Sequence, residues 1–288
     1  MSVLFCDTDC ELWYTTAKEL GLKVISMPYT VDGVEQMYDL GEKTDLKDFF
    51  DRMRGGANVS TAGLNPETYT EIFEPYFKAG EDILYVAFSS KMSNTFKYLD
   101  TAIDALKAKY PDARYRMFDT LNISMGAGVM VYLAARRFAE NGGDIDATYD
   151  YLETLVQKVC VRFVVDDLKY LARGGRLSPA KARIGNVLQL KPVLYVNREG
   201  EIDILAKQSG FKKAMSFVVS EFEKKYRDID GAPVVIVGAD CDDYTAELKK
   251  RLSALCPAAD IWVQPVGPVI GAHCGPGTYG VIFTAESR

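Results

Sequence analysis

The chain has 288 residues, 48% of them hydrophobic and 26% charged, with a formal net charge of −6. That length allows one large or two medium domains with a sizeable core. The acidic balance argues against nucleic acid as a partner, and no run of about 18 apolar residues is present to span a membrane.

The opening MSVLFCDTDCELW carries Asp7, Asp9 and Glu11 where a signal peptide would carry basic and then apolar residues, so a cytoplasmic protein is expected. Residues 2–7 (SVLFCD) read as a short buried strand and 22–31 (LKVISMPYTV) as a second, with the helical spacing of LWYTTAKELG between them. Strand, helix, strand suggests a parallel pair with a crossover helix. Residues 83–88 (ILYVAF) form a strongly apolar strand, followed by SSKMSNT and the helical FKYLDTAIDALKAKY. ARYRMF at 113–118 reads as the next strand, DTLNISMGAG as a loop, and VMVYLAARRFAENGG and TYDYLETLVQKV as helices.

The pattern then changes. VRFVVDD reads as a strand and LKYLARGG as a short helix with a glycine stop. SPAKARIGNVLQL begins with Ser178 as an N-cap and Pro179 at the first helical position. PVLYVNREGEIDILAK reads as two strands joined by a tight turn at Arg198 to Gly200. A helix (FKKAMSFVVSEFEKKYRD), the strand APVVIVGA, a further helix and the strand DIWVQPV lead to the closing GPVIGAHCGPGTYGVIF. The first half is alternating α/β and the second mixes hairpins with crossovers. This places a domain boundary near residue 159, giving domains 1–158 and 159–288.

Short polar or glycine-rich loops stand at the ends of the first-half strands: Asp7–Thr8, Ser60–Thr61, Ser89 to Thr95 and Asp119 to Gly128. The crevice beyond strand carboxyl ends is the usual ligand site of open α/β sheets. Ser93 precedes a long helix, whose free N–H groups and dipole favour an anion, although a serine there is also an ordinary cap. Thr61, taken alone, is local turn chemistry. His273 is the chain's one histidine, set among glycines, and is either a hydrogen-bond donor to an anion or a structural residue. Lys169, Arg173, Arg176, Lys181 and Arg183 cluster as a solvated basic face or a partner site. The six cysteines (6, 10, 160, 241, 256 and 274) contain no C-x-x-C pair, so reduced and mostly buried thiols are expected, with no metal and no cofactor.

An enzyme of phosphoryl or acyl transfer is the competing reading. Ser93, His273 and Asp119 offer a nucleophile, base and orienter, and Asp7 stands at a strand tip as phosphotransfer aspartates do. No G-x-S-x-G elbow, Walker lysine motif or G-x-G-x-x-G supports it.

Taken together, these loops resemble the DegV family, which includes the fatty-acid-binding subunits of bacterial fatty acid kinase. The likeness rests on Asp7–Thr8, Thr61 in STAGLNP, SSKMSNTF at 89–96 and DTLNISMGAG at 119–128. It extends through LKYLARGGRLSPAKARIGNVLQLKPVL at 168–194 and GPVIGAHCGPGTYG at 267–280. It implies an N-terminal three-layer α/β/α sandwich with a parallel sheet and a C-terminal mixed sheet with helices. An acyl-chain tunnel would lie at their junction. It further implies that Thr61, Ser93, the N–H of Asn94 and His273 hold a fatty acid carboxylate, with Asp7, Thr8 and Ser124 nearby. The chain would then be a non-catalytic accessory of phospholipid metabolism, presenting the carboxylate to a kinase subunit that makes an acyl-phosphate. Arg173 and Arg176 are expected on the kinase-docking surface, and transient membrane contact is a further expectation. Another apolar anion, such as an isoprenoid or a branched acid, would fit the same residues. The sequence departs from the family pattern at Ala62, Gly63 and Leu64, at Asn94, and around Ser209–Gly210, where relatives carry a partner-facing arginine.

Overall fold

The computed structural model describes residues 1–178, 180 and 190–288. The expected helix from Pro179 onward and the cations Lys181 and Arg183 lie outside the described residues. The first half contributes strands β1 (Ser2–Asp7), β2 (Lys23–Ile25), β3 (Pro28–Val31), β4 (Val34–Met37), β5 (Val59–Thr61), β6 (Asp82–Ala87) and β7 (Tyr115–Asp119). Its helices are α1 (Tyr14–Glu19), α2 (Leu46–Arg54), α3 (Pro66–Ala79), α4 (Thr95–Lys109), α5 (Met125–Glu140) and α6 (Ile145–Leu155). β2, β1, β6 and β7 form a parallel sheet in that order. The helix pairs α3–α4 and α5–α6 flank it in a layered α/β/α arrangement.

One expected strand breaks in two. Residues 22–31 divide into β2, on the parallel sheet, and β3, the middle of a separate antiparallel sheet ordered β4-β3-β5. The cause is twofold: the Met27 N–H is diverted to Thr8 Oγ1 at 2.9 Å, and Pro28 has no N–H to extend a ladder. Helices α2 and α3 fill a stretch the sequence reading left unassigned. Each has a side-chain cap, Asp45 to Asp48 N at 2.9 Å and Asn65 to Thr68 N at 2.8 Å, and Pro66 opens α3.

The SMGAG run, expected as loop, is the first turn of α5. Its glycines serve close approach. A Cβ on Gly126 would lie 2.4 Å from Asn122 Oδ1, and one on Gly128 2.4 Å from the Cys10 carbonyl.

The second half adds β8 (Val159–Val164), α7 (Lys169–Arg173), β9 (Leu190–Val196), β10 (Ile202–Ser209), α8 (Phe211–Lys225), β11 (Val234–Gly238), α9 (Asp242–Leu255), β12 (Ile261–Pro265), α10 (Pro268–Cys274) and β13 (Tyr279–Thr284). These six strands form one mixed sheet ordered β10-β9-β8-β13-β11-β12, in which the β11–β12 pair is parallel. Alternation along the strands splits its two faces between two apolar cores. Val161, Phe163, Val235, Val237 and Ile282 join a core that reaches back to Leu4 in β1. Their neighbours Cys160, Val164, Val234, Ile236, Val281 and Phe283 pack into a second core with Val218 of α8 and Leu248 of α9.

Candidate functional site

The first core is hollow between the mixed sheet and the strand-end loops of the parallel sheet. A cavity of about 250 Å³ lies there. Val161, Phe163, Val237 and Ile282 of the mixed sheet form one wall, and Met27, Phe88, Met92 and Ile123 from the strand-end loops form another. At one end the lining turns polar, with Asp9, Thr61, Ser93, Asn94, Arg176 and His273.

Thr61 ends β5, and His273 sits in the last turn of α10. Their side chains meet, with Thr61 Oγ1 2.8 Å from His273 Nε2. Burial, followed by the positive charges of Arg176 and Arg173, depresses the His273 pKa to about 3, so the imidazole is neutral at pH 7. Its Nδ1 is buried without a hydrogen-bond partner. The reason is steric: Gly174 packs so closely that a Cβ there would stand 2.2 Å from Nδ1. The glycine stop of α7 is therefore also the wall behind the histidine.

Ser93 and Asn94 lie in the turn into α4. Ser93 Oγ accepts the Thr95 N–H at 3.2 Å, so the residue is a local cap as well as a cavity residue. Asn94 is exposed, occupies the cap position itself and makes no side-chain capping bond. Thr95 was not anticipated from sequence and ties the site together. Its buried Oγ1 accepts the Leu64 N–H at 3.1 Å and lies 2.7 Å from the Tyr69 hydroxyl. Gly63 lies against it, where a Cβ would come within 3.0 Å of Thr95 Cβ. The departure from the family pattern at Ala62–Gly63 thus matches a tight contact between the Thr61 loop and the helix bearing Ser93.

The remaining candidates divide. Asp7 is fully buried and accepts from Asp9 N (3.0 Å), the Tyr85 hydroxyl (2.8 Å) and Phe88 N (3.3 Å). Burial raises its pKa to about 6. With Thr8 holding Met27, these two residues fix the loops that wall the cavity and are not among its lining. Ser124 does line it, at φ +53, and donates to Glu11 Oε2. Glu11 also accepts the Gly267 N–H at 2.5 Å, joining the β1 loop to the start of α10; burial lifts its pKa to about 8. Arg173 is exposed, its guanidinium 5.5 Å from the Tyr170 ring centre. Arg176 differs from the expectation of a surface residue. It is half-buried, lines the cavity and donates through Nε to the Met92 carbonyl at 2.9 Å.

No nucleophile–base–orienter chain is assembled. His273 bonds Thr61, Ser93 accepts from Thr95, and Asp119 accepts the amides of Ser90 (3.3 Å) and Leu121 (2.8 Å). Among the described residues there is no cluster of metal-ligating side chains and no helix long and apolar enough to cross a membrane.

A family model described as an uncharacterised protein of the DegV family matches residues 3–286. A DegV domain-containing protein of Clostridium perfringens is 35% identical over 286 residues, covering 99% of this chain and 98% of its own. The structure of a fatty-acid-binding DegV family protein from Thermus thermophilus has a TM-score of 0.84 at 27% identity, covering 98% of this chain and 99% of the other. A stearic-acid-binding protein from Eubacterium ventriosum shares the fold at a TM-score of 0.86, with 18% identity and 99% of each chain covered. With its motifs, its parallel and mixed sheets and a match over nearly all of its length, the chain belongs to the DegV family.

Proposed function

We propose that this protein binds a long-chain fatty acid in the cavity between its parallel and mixed sheets and presents the carboxylate to a separate fatty acid kinase subunit. The observation that carries the reading is the Thr61–His273 contact, made across 212 residues of sequence at the polar end of an otherwise apolar cavity. A carboxylate needs donors. The Thr61 and Ser93 hydroxyls, the Asn94 N–H at the start of α4 and the His273 imidazole supply them. Each charge-assisted bond contributes about 1.5–3 kcal/mol. The tail contributes more, at about 0.8 kcal/mol per buried CH₂ before ordering costs. The fatty-acid-binding relative from Thermus thermophilus supports the same reading.

In this reading the protein supplies no nucleophile, because activation of the carboxylate by ATP belongs to the kinase. Arg173, on the surface at the end of α7, faces the partner, and Arg176 serves from inside the cavity rim. The domain boundary falls between residues 158 and 159, immediately before β8. The protein works in the cytoplasm and touches a membrane transiently to exchange its ligand.

Organic extraction of the purified protein followed by mass spectrometry tests the reading. A bound long-chain acid is the expected result. A protein that carries none and takes up none when incubated with a fatty acid series would refute it. Product formation from ATP or an acyl ester by this chain alone would favour an enzyme instead.

A further inference from the structure

Three acids crowd the turn after β1, and two of them are committed to the protein. Asp7 accepts three hydrogen bonds, and Glu11 is shared between Ser124 and Gly267. Asp9 is different. It is 5% exposed, its side chain lines the cavity, and its Oδ1 is buried with no hydrogen-bond partner. An acceptor without a donor, in the wall of an apolar cavity, is costly unless something in the loaded state relieves it.

We propose that Asp9 is a ligand-facing residue whose carboxyl takes up a proton as an acidic lipid enters, so that loading of this cavity is proton-coupled. The inference rests on the fatty-acid reading above. The groups that act on Asp9 come from each side. Asp7 and Glu11 lie on its own segment, Tyr69 stands on α3, and Arg176 follows α7. His273 on α10 shares the cavity and is engaged with Thr61. Burial first, then the charges of Asp7 and Glu11, hold the Asp9 carboxyl well above the usual range, and only Arg176 pulls it back. Filling the cavity works in one direction. Oδ1 is already shut off from water in the empty protein, so the ligand acts on Asp9 through its head, which brings a further negative charge into the same space. That charge disfavours the ionised form. Asp7 and Glu11 are not part of the lining, so neither carboxyl meets the ligand directly. At a pH between the empty-state and loaded-state pKa of Asp9, the loaded protein therefore holds a proton that the empty one lacks. Affinity then falls as pH rises between the empty-state and loaded-state pKa of Asp9, by up to about tenfold per pH unit.

The test is calorimetric titration of myristic acid into delipidated protein, at one pH in two buffers of different ionisation enthalpy, repeated across about pH 6 to 9. Wild type should take up a proton on binding and lose affinity with rising pH. Asp9→Asn, which keeps the shape and removes the charge, should bind without proton uptake and with a flattened pH profile. Asp9→Ser provides the same comparison if the amide variant folds poorly. Binding by wild type with no proton uptake, or equal uptake in wild type and both variants, overturns the proposal. A wild-type protein that binds no fatty acid at all overturns the function itself, a separate outcome.

Discussion

The two ends of the cavity are built on opposite principles. One apolar wall comes from a single sheet. Val161, Phe163, Val237 and Ile282 face inward because side chains alternate along a strand, and that wall follows from a single rule. The polar end has no such rule. Thr61 closes an edge strand of the small sheet, Ser93 precedes α4, Arg176 follows α7 and His273 ends α10. Four segments far apart in the chain converge, held by single contacts such as Thr95 Oγ1 to Leu64 N and Glu11 to Gly267 N. The wall should therefore respond to substitution through stability and the polar end through binding.

The largest effect should come from breaking the wall. Phe163→Asp places an unpaired carboxylate in a dry core and should cost about 4 kcal/mol or more in urea unfolding. A loss within about 1 kcal/mol would show the cavity to be open to water there. At the polar end, Thr61→Ala and His273→Ala should each weaken a fatty acid by about 1–3 kcal/mol while barely moving the unfolding midpoint. Gly174→Ala sharpens the comparison, because it leaves every donor in place and only drives a methyl group into His273. It should reproduce most of the His273→Ala binding loss, and an unchanged affinity would remove Gly174 from the site. The most gradual effect is a slope. The folded protein keeps the Glu11 proton up to about pH 8, whereas the ordinary value is 4.5. Between those values the folded state holds the extra proton, so the stabilisation is full below the lower one and is lost as pH rises through the upper. The decline is at most about 1.4 kcal/mol per pH unit, and Glu11→Gln should flatten it in denaturant melts across that window.

This contrast also explains what could be read in the sequence. The parallel pair around β1 and β6, the β9–β10 hairpin and the long helices were legible because periodicity and turn residues are local signals. The break between β2 and β3 was not, because it depends on Thr8 reaching Met27 from another segment. Thr61 and His273 stood out only through family likeness. Neither residue's neighbours in sequence announce a contact across 212 positions. Asp9 had a visible signal, the middle acid in the run DTDCE, but nothing local distinguished the acid facing the cavity from its two neighbours. In the sequence Arg176 reads as part of a basic cluster, since charge near Arg173 says nothing about which way a side chain turns after a glycine pair.

The two-faced mixed sheet has a consequence for how ligand preference can change over time. Each inner position, such as Val161 or Ile282, is flanked along its strand by residues anchored in the second core beneath α8 and α9. That anchoring fixes the backbone while leaving the inner side chains free to vary in size. Under the proposed function, a lineage can therefore deepen, shorten or bend the space for a tail by exchanging one inner residue at a time, with the scaffold and the polar end untouched. The fold separates the part that must stay constant from the part that can drift.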